Sequence, residues 1–254
     1  MKVTFLGTGT SHGIPVIGCH CDVCMSGNPR DKRYRSAIMV EENGSRIVVD
    51  TGYEFRLQML REGVDNVDAV LYTHSHSDHL SGIDDLRVFS QKRNMTIYSN
   101  RPTLEYIEKH YSYAFDTHGF PGTPHLSAVE LEPLKEVEIA GIRVIPLPVE
   151  HGRVTHMPIY GYRFGSFAYI TDYTFIADEV YEALRGVETL AIGALRGRVH
   201  GAHFSFEEAH EAGRRIGARR IYFTHINHET CYDEIDSLYD DAWSAYDGLK
   251  LEVN

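Results

Sequence analysis

No apolar run in this chain approaches the length of a membrane-spanning helix, so a helical membrane protein is not expected. The start, Met1-Lys2-Val3-Thr4-Phe5-Leu6-Gly7, carries no signal-peptide hydrophobic region and turns to glycine at once, as a first strand would. The expected location is therefore the cytoplasm. Basic charge is also short: 25 Lys and Arg against 36 Asp and Glu leave a net charge of −11. An acidic surface matches a polyphosphate backbone poorly, so nucleic acid is a disfavoured partner. Bound divalent cations would offset part of that charge. Linkers, low-complexity tracts and long runs of like charge are absent. At 254 residues and 43% hydrophobic, the chain is expected to form one domain over 1–254. Cysteine is scarce, four in all, yet Cys19, Cys21 and Cys24 share one short loop. Without an export signal, that clustering favours metal over a disulfide.

What is present alternates between strand and helix patterns, as in an α/β protein. Residues 37–40 and 46–49 read as a hairpin around Asn43-Gly44, the favoured two-residue turn. Similar hairpins are expected at 136–139 with 142–147 and at 159–164 with 167–171. Further strands are expected at 189–192 and 220–224. Helices are expected over 54–61 (stopped by Gly63), 79–89, 177–184, 205–216 and 233–246. Ser205 and Glu208 match the capping box. Two strand-rich halves with helices outside predict a four-layer αβ/βα sandwich. Residues 101–126 fit it least. With Tyr106, Tyr111, Tyr113, Phe115 and Phe120, they read as a helix followed by an aromatic lid, or as a peripheral helical insertion.

Histidine is plentiful at 15. The run His74-Ser75-His76-Ser77-Asp78-His79 follows an apolar strand, Ala69-Val70-Leu71-Tyr72. Asp50, His151, Asp172 and His225 each follow another expected strand. Ligand sites of α/β sheets lie beyond strand ends, where loops present side chains that the sheet holds still. His74, His76, Asp78, His79, His151, Asp172 and His225 supply seven donors. That number suits two nearby metal ions with one carboxylate bridging.

These residues resemble the metallo-β-lactamase superfamily along nearly the whole chain. Gly7-Thr8-Gly9, Gly13, Pro15, the run Gly18-Cys19-His20-Cys21-Asp22-Val23-Cys24 and Thr224-His225-Ile226-Asn227-His228 narrow the resemblance. They are similar to the branch that holds the cyclic-phosphate phosphodiesterase of the carbon–phosphorus lyase pathway. The resemblance implies a first metal on His74, His76 and His151, a second on Asp78, His79 and His225, and Asp172 between them. Asp50 would orient a ligand by accepting its hydrogen bond. Cys19, Cys21 and Cys24 would hold a separate structural zinc, a closed shell without an open position. The resemblance gives His228 as its fourth ligand; His20 and Cys231 are rivals.

The implied chemistry is attack on a small phosphodiester by a metal-bridging hydroxide that Asp78 orients. His203 would protonate the leaving alkoxide, with His200 as the competitor. Imidazole with carboxylate suits zinc, manganese or iron. A homodimer is the oligomeric state the resemblance implies. Arg35 could contact a phosphate or brace the zinc loop. The alternatives are a transfer-RNA 3′-processing-type endonuclease, against which the chain has no long basic or glycine-rich arm, and a thioester or lactone hydrolase. His76 argues against an oxygen-reducing di-iron protein, where a carboxylate usually replaces it.

Overall fold

Alternating side chains sort the strands of this chain into three buried apolar layers. The computed structural model describes residues 1–91, 93–116 and 122–254. One sheet holds β1 (Lys2–Gly7), β2 (Ala37–Glu42), β3 (Ser45–Val49), β4 (Ala69–Leu71), β5 (Met95–Ser99) and β6 (Leu126–Glu130). The other holds β7 (Val137–Ile139), β8 (Ile142–His151), β9 (Met157–Phe164), β10 (Phe167–Ile170), β11 (Thr189–Gly193), β12 (Arg220–Thr224) and β13 (Ala242–Ser244). The last strand, β14 (Lys250–Glu252), returns to pair antiparallel with β1. The orders are β14-β1-β2-β3-β4-β5-β6 and β13-β12-β11-β10-β9-β8-β7. The helices are α1 (Asp22–Met25), α2 (Phe55–Glu62), α3 (Ser77–Leu80), α4 (Arg87–Ser90), α5 (Arg101–His110), α6 (Asp178–Ala183), α7 (Phe206–Ile216) and α8 (Tyr232–Asp236).

The period of two explains the layering. Ile38 and Val40 of β2 face the opposite sheet, whereas Ala37 and Met39 face helices. Phe167 and Tyr169 of β10 face inward, and Ala168 and Ile170 pack under α6 and α7. These strands thus carry apolar residues on both faces, as sheets covered by helices require. This is the four-layer αβ/βα sandwich.

The hairpin turns match expectation. Asn43 and Gly44 have φ of 51° and 85°, and Ala140 and Gly141 have 50° and 80°. Two helices do not. The span 79–89 is broken into α3, a 3-10 turn (Ile83–Leu86) and α4. The break falls at Gly82, which donates to Thr51 O at 2.7 Å; a Cβ there would lie 2.4 Å from Gly52 O. The span 233–246 gives only the short α8, because β13 pairs parallel with β12 and Trp243 packs on Tyr222. In 101–126, α5 is followed by a turn at Ser112–Ala114, and Tyr111, Ala114 and Phe115 pack on the core beneath the first sheet. Phe120, part of the expected lid, lies outside the described residues. Among the described residues, no helix is long and apolar enough to cross a membrane.

Candidate metal centre

Three residues of the centre stand just beyond strand ends in left-handed backbone. Asp50 follows β3 at φ 67°, and Asp172 comes two residues after β10 ends, at φ 53°. His225 follows β12 at φ 57°. Such conformations are uncommon for residues with a Cβ and gather at functional sites. The histidine run enters from the end of β4 and closes into α3, whose first turn carries Asp78 and His79. Gly52 lets that turn approach, since a Cβ there would lie 2.3 Å from Asp78 O.

Two groups of donors result. His74, His76, His151 and Asp172 form one; Asp78, His79, Asp172 and His225 form the other. Within each, the ligand atoms lie within 4.8 Å of one another. Asp172 belongs to both. Its Oδ2 is 3.4 Å from His74 Nε2 and 3.0 Å from His79 Nε2, and its Oδ1 is 2.8 Å from His225 Nε2. All seven expected ligands therefore converge. His76 is exposed, while the other six are buried.

Hydrogen bonds aim the rings. Asp50 accepts the backbone N–H of Thr73 at 2.8 Å and lies 2.7 Å from His79 Nδ1. Thr73 Oγ1 donates to Asp50 at 2.8 Å, so its lone pairs accept from His74 Nδ1 at 2.9 Å. Both rings thus turn Nε2 toward the centre. Thr73 was not singled out from the sequence; its position directly before the run is the only local signal.

Charge favours cations here. Burial opposes ionisation of Asp172, yet His225 and His79 hold it well below the usual carboxylate range. Burial likewise opposes the Asp78 carboxylate, and His79 and His225 hold it low. Burial disfavours the charged form of His225, but Asp172 raises it to about 9. In contrast, burial pushes His74 well below its ordinary value. Within the described residues, His79 Nε2, His151 Nδ1 and both ring nitrogens of His225 are buried without a well-formed hydrogen bond. Buried ring nitrogens lacking good hydrogen bonds beside buried carboxylates fit a site for divalent cations.

His203 stacks on His225 with ring centres 4.8 Å apart, and its Nδ1 lies 3.8 Å from Asp172 Oδ1. His200 lies behind it, 5.4 Å from the His203 ring, and accepts the Ala202 N–H. Arg35 pairs with Glu54, donates to Ser11 O at 2.9 Å and lies over the Tyr53 ring.

A second donor group lies elsewhere. His228 Nδ1 is 3.3 Å from the sulfurs of Cys19 and Cys21 and 3.5 Å from that of Cys24. His20 stands outside this group. Cys231 packs against it but is not one of the four converging donors. A backbone hydrogen bond from Cys24 lowers the Cys21 thiol to about 6, and burial raises that of Cys24 to about 11.

Sandwich and paired donor groups define the class: a domain of the metallo-β-lactamase fold. A family model described as a beta-lactamase superfamily domain matches residues 45–226, and the chain belongs to that superfamily. A crystal structure described as a new diphosphatase from the PhnP family superposes with a TM-score of 0.91 at 37% identity, covering 100% of this chain and 98% of that one. An octanoyltransferase of Porphyromonas gingivalis is 37% identical over 258 residues, 100% of this chain and 52% of that protein. A ribonuclease Z of Archaeoglobus fulgidus is 28% identical over 157 residues, 59% of this chain and 44% of that protein. The chain spans about half the length of these curated relatives.

Proposed function

We propose that this chain is a phosphodiesterase acting on a small, cyclic phosphodiester with two divalent ions, zinc, manganese or iron. The observation that carries it is Asp172, shared by both donor groups. His74, His76 and His151 would complete one site; Asp78, His79 and His225 would complete the other. A bound pair supplies an acidified water at neutral pH and a positive clamp for phosphoryl oxygens. Asp50 and Thr73 hold the rings of His79 and His74 in register. Asp78 would orient the attacking water as well as hold an ion. The exposed edge at His76 is where substrate would enter.

His203 would donate the proton that the leaving alkoxide needs. Burial, with His225 and His151, pushes it down to about 3 against the pull of Asp172. An anionic ester beside it is what would favour the protonated form.

Cys19, Cys21, Cys24 and His228 would hold a structural zinc with no open position. Thiolates stay reduced in the cytoplasm, the compartment this reading assumes. Similarity to the PhnP-family diphosphatase supports phosphoryl chemistry. The octanoyltransferase name is not carried over, since about half of that protein lies outside the match. Ribonuclease Z relatives support a second reading, RNA cleavage.

The test is a panel of 2′,3′-cyclic nucleotides, ribose cyclic phosphate, linear phosphodiesters, a precursor transfer RNA and thioesters, with added manganese or zinc. Turnover of the cyclic esters, lost in His76→Ala, is expected. Cleavage of the RNA alone would favour the second reading, and turnover of thioesters alone would refute both.

A further inference from the structure

The loop between β11 and α7 carries His200 and His203. Its base is closed by Leu195 N–H to Phe204 O at 2.9 Å and Phe206 N–H to Arg196 O at 2.9 Å. Its span is held by residues from two other loops. On one side, Arg153 in the turn after β8 donates its N–H to Gly201 O at 2.9 Å, its Nε to His200 O at 3.1 Å and its Nη2 to Glu208 at 2.5 Å.

On the other side stands Glu229. Its carboxylate accepts Arg196 Nη1 at 2.9 Å, Arg198 Nε and Nη2 at 3.0 Å each, and Asn227 Nδ2 at 3.1 Å. Four donors on one carboxylate, one arginine gripping both oxygens, make a directional tie rather than a loose surface pair. Glu229 is the residue after His228, the histidine of the thiolate group. Its own N–H is fixed by Asn227 Oδ1 at 2.9 Å. A short path therefore runs from the cysteine loop through His228 and Glu229 to Arg196 and Arg198, and so to the loop of His203.

We infer that Glu229 is a positioning residue that couples the thiolate site to the loop presenting His203, so that the cysteine site governs how well the leaving group is protonated. This rests on the reading of His203 as the proton donor. A loop freed at Glu229 stays anchored by Arg153 and by its closed base. It loses the register that aims His203, not its fold.

The experiment compares the metal-loaded protein with Glu229→Gln, Glu229→Asp, Cys21→Ala and His203→Ala on two diesters. One releases p-nitrophenol, a good leaving group; the other releases an alkyl alcohol, which needs the proton. A general acid contributes about 100-fold or more. His203→Ala should lose that much on the alkyl ester and little on the nitrophenyl ester. Glu229→Gln and Cys21→Ala should show the same selectivity at about tenfold, with Glu229→Asp recovering part of it and active-site metal content unchanged in all four. Selectivity in His203→Ala with equal losses on both esters in Glu229→Gln would overturn the coupling alone. No selectivity in His203→Ala would remove the proton donor and the coupling with it.

Discussion

Asp50 Oδ2 lies 2.7 Å from His79 Nδ1 and accepts the Thr73 hydroxyl at 2.8 Å, which in turn meets His74 Nδ1. One fully buried carboxylate thereby orients a ligand from each donor group. Asp50→Ala keeps all seven ligands but frees two rings. Metal affinity should fall about 10- to 100-fold, read by calorimetric titration of the metal-free protein with zinc or manganese. Unchanged affinity would mean that packing alone holds the rings.

Asp172 is shared, and His76 belongs to one group only. Asp172→Ala should therefore weaken both sites, whereas His76→Ala should weaken one. Elemental analysis after dialysis separates the cases. Equal metal content in the two variants would contradict a shared carboxylate.

The cysteine group joins the loop after β1 to the segment after β12, beside the backbone hydrogen bonds of Thr8 and Thr10 with Ile226. Cys21→Ala should lose one zinc per chain and several degrees of melting temperature, because metal binding energy is also folding energy. Its rate on a nitrophenyl ester should stay within a few-fold. Metal content identical to the parent would remove the structural zinc.

Asp247 makes a pH prediction away from both metal groups. Its carboxylate accepts Thr8 Oγ1 at 2.8 Å and the Tyr34 N–H at 2.7 Å, and Arg61 lies 3.5 Å away. Burial nevertheless raises it from 3.8 to about 6, against those partners and Arg33. Arg33 is itself pushed down to about 10 by burial, with Asp247 and Asp31 opposing. A carboxyl with a raised folded pKa binds more protons folded than unfolded between about pH 4 and 6. Its contribution to stability therefore grows as pH falls through 6 and levels off near 4, by at most about 3 kcal/mol. Urea unfolding at pH 5 and 7.5 should show the parent gaining stability on acidification relative to Asp247→Asn. A relative loss would reverse the sign.

Local patterns announced much of this molecule. Asn43-Gly44 specified its hairpin because the turn needs two positive φ values in succession. Ser205 and Glu208 announced the start of α7, where both halves of the capping box form. The ligand run was readable because its members are neighbours in the sequence. By contrast, β13 was read as helix: its pairing with β12 and the Trp243–Tyr222 contact are long-range and leave no local period. The break at Gly82 was equally hidden, since its cause is the backbone of Gly52.

By itself, the sequence determined which donors exist and which strand faces are apolar, because both are properties of single residues and short periods. The resemblance anticipated Asp172 between two groups and His228 beside the cysteines, but only the tertiary structure brings those atoms together, and it alone shows that Glu229 reaches the His203 loop. Those outcomes depend on two sheets packing face to face and on left-handed backbone at Asp50, Asp172 and His225. No local pattern encodes a distance between residues that only packing brings together.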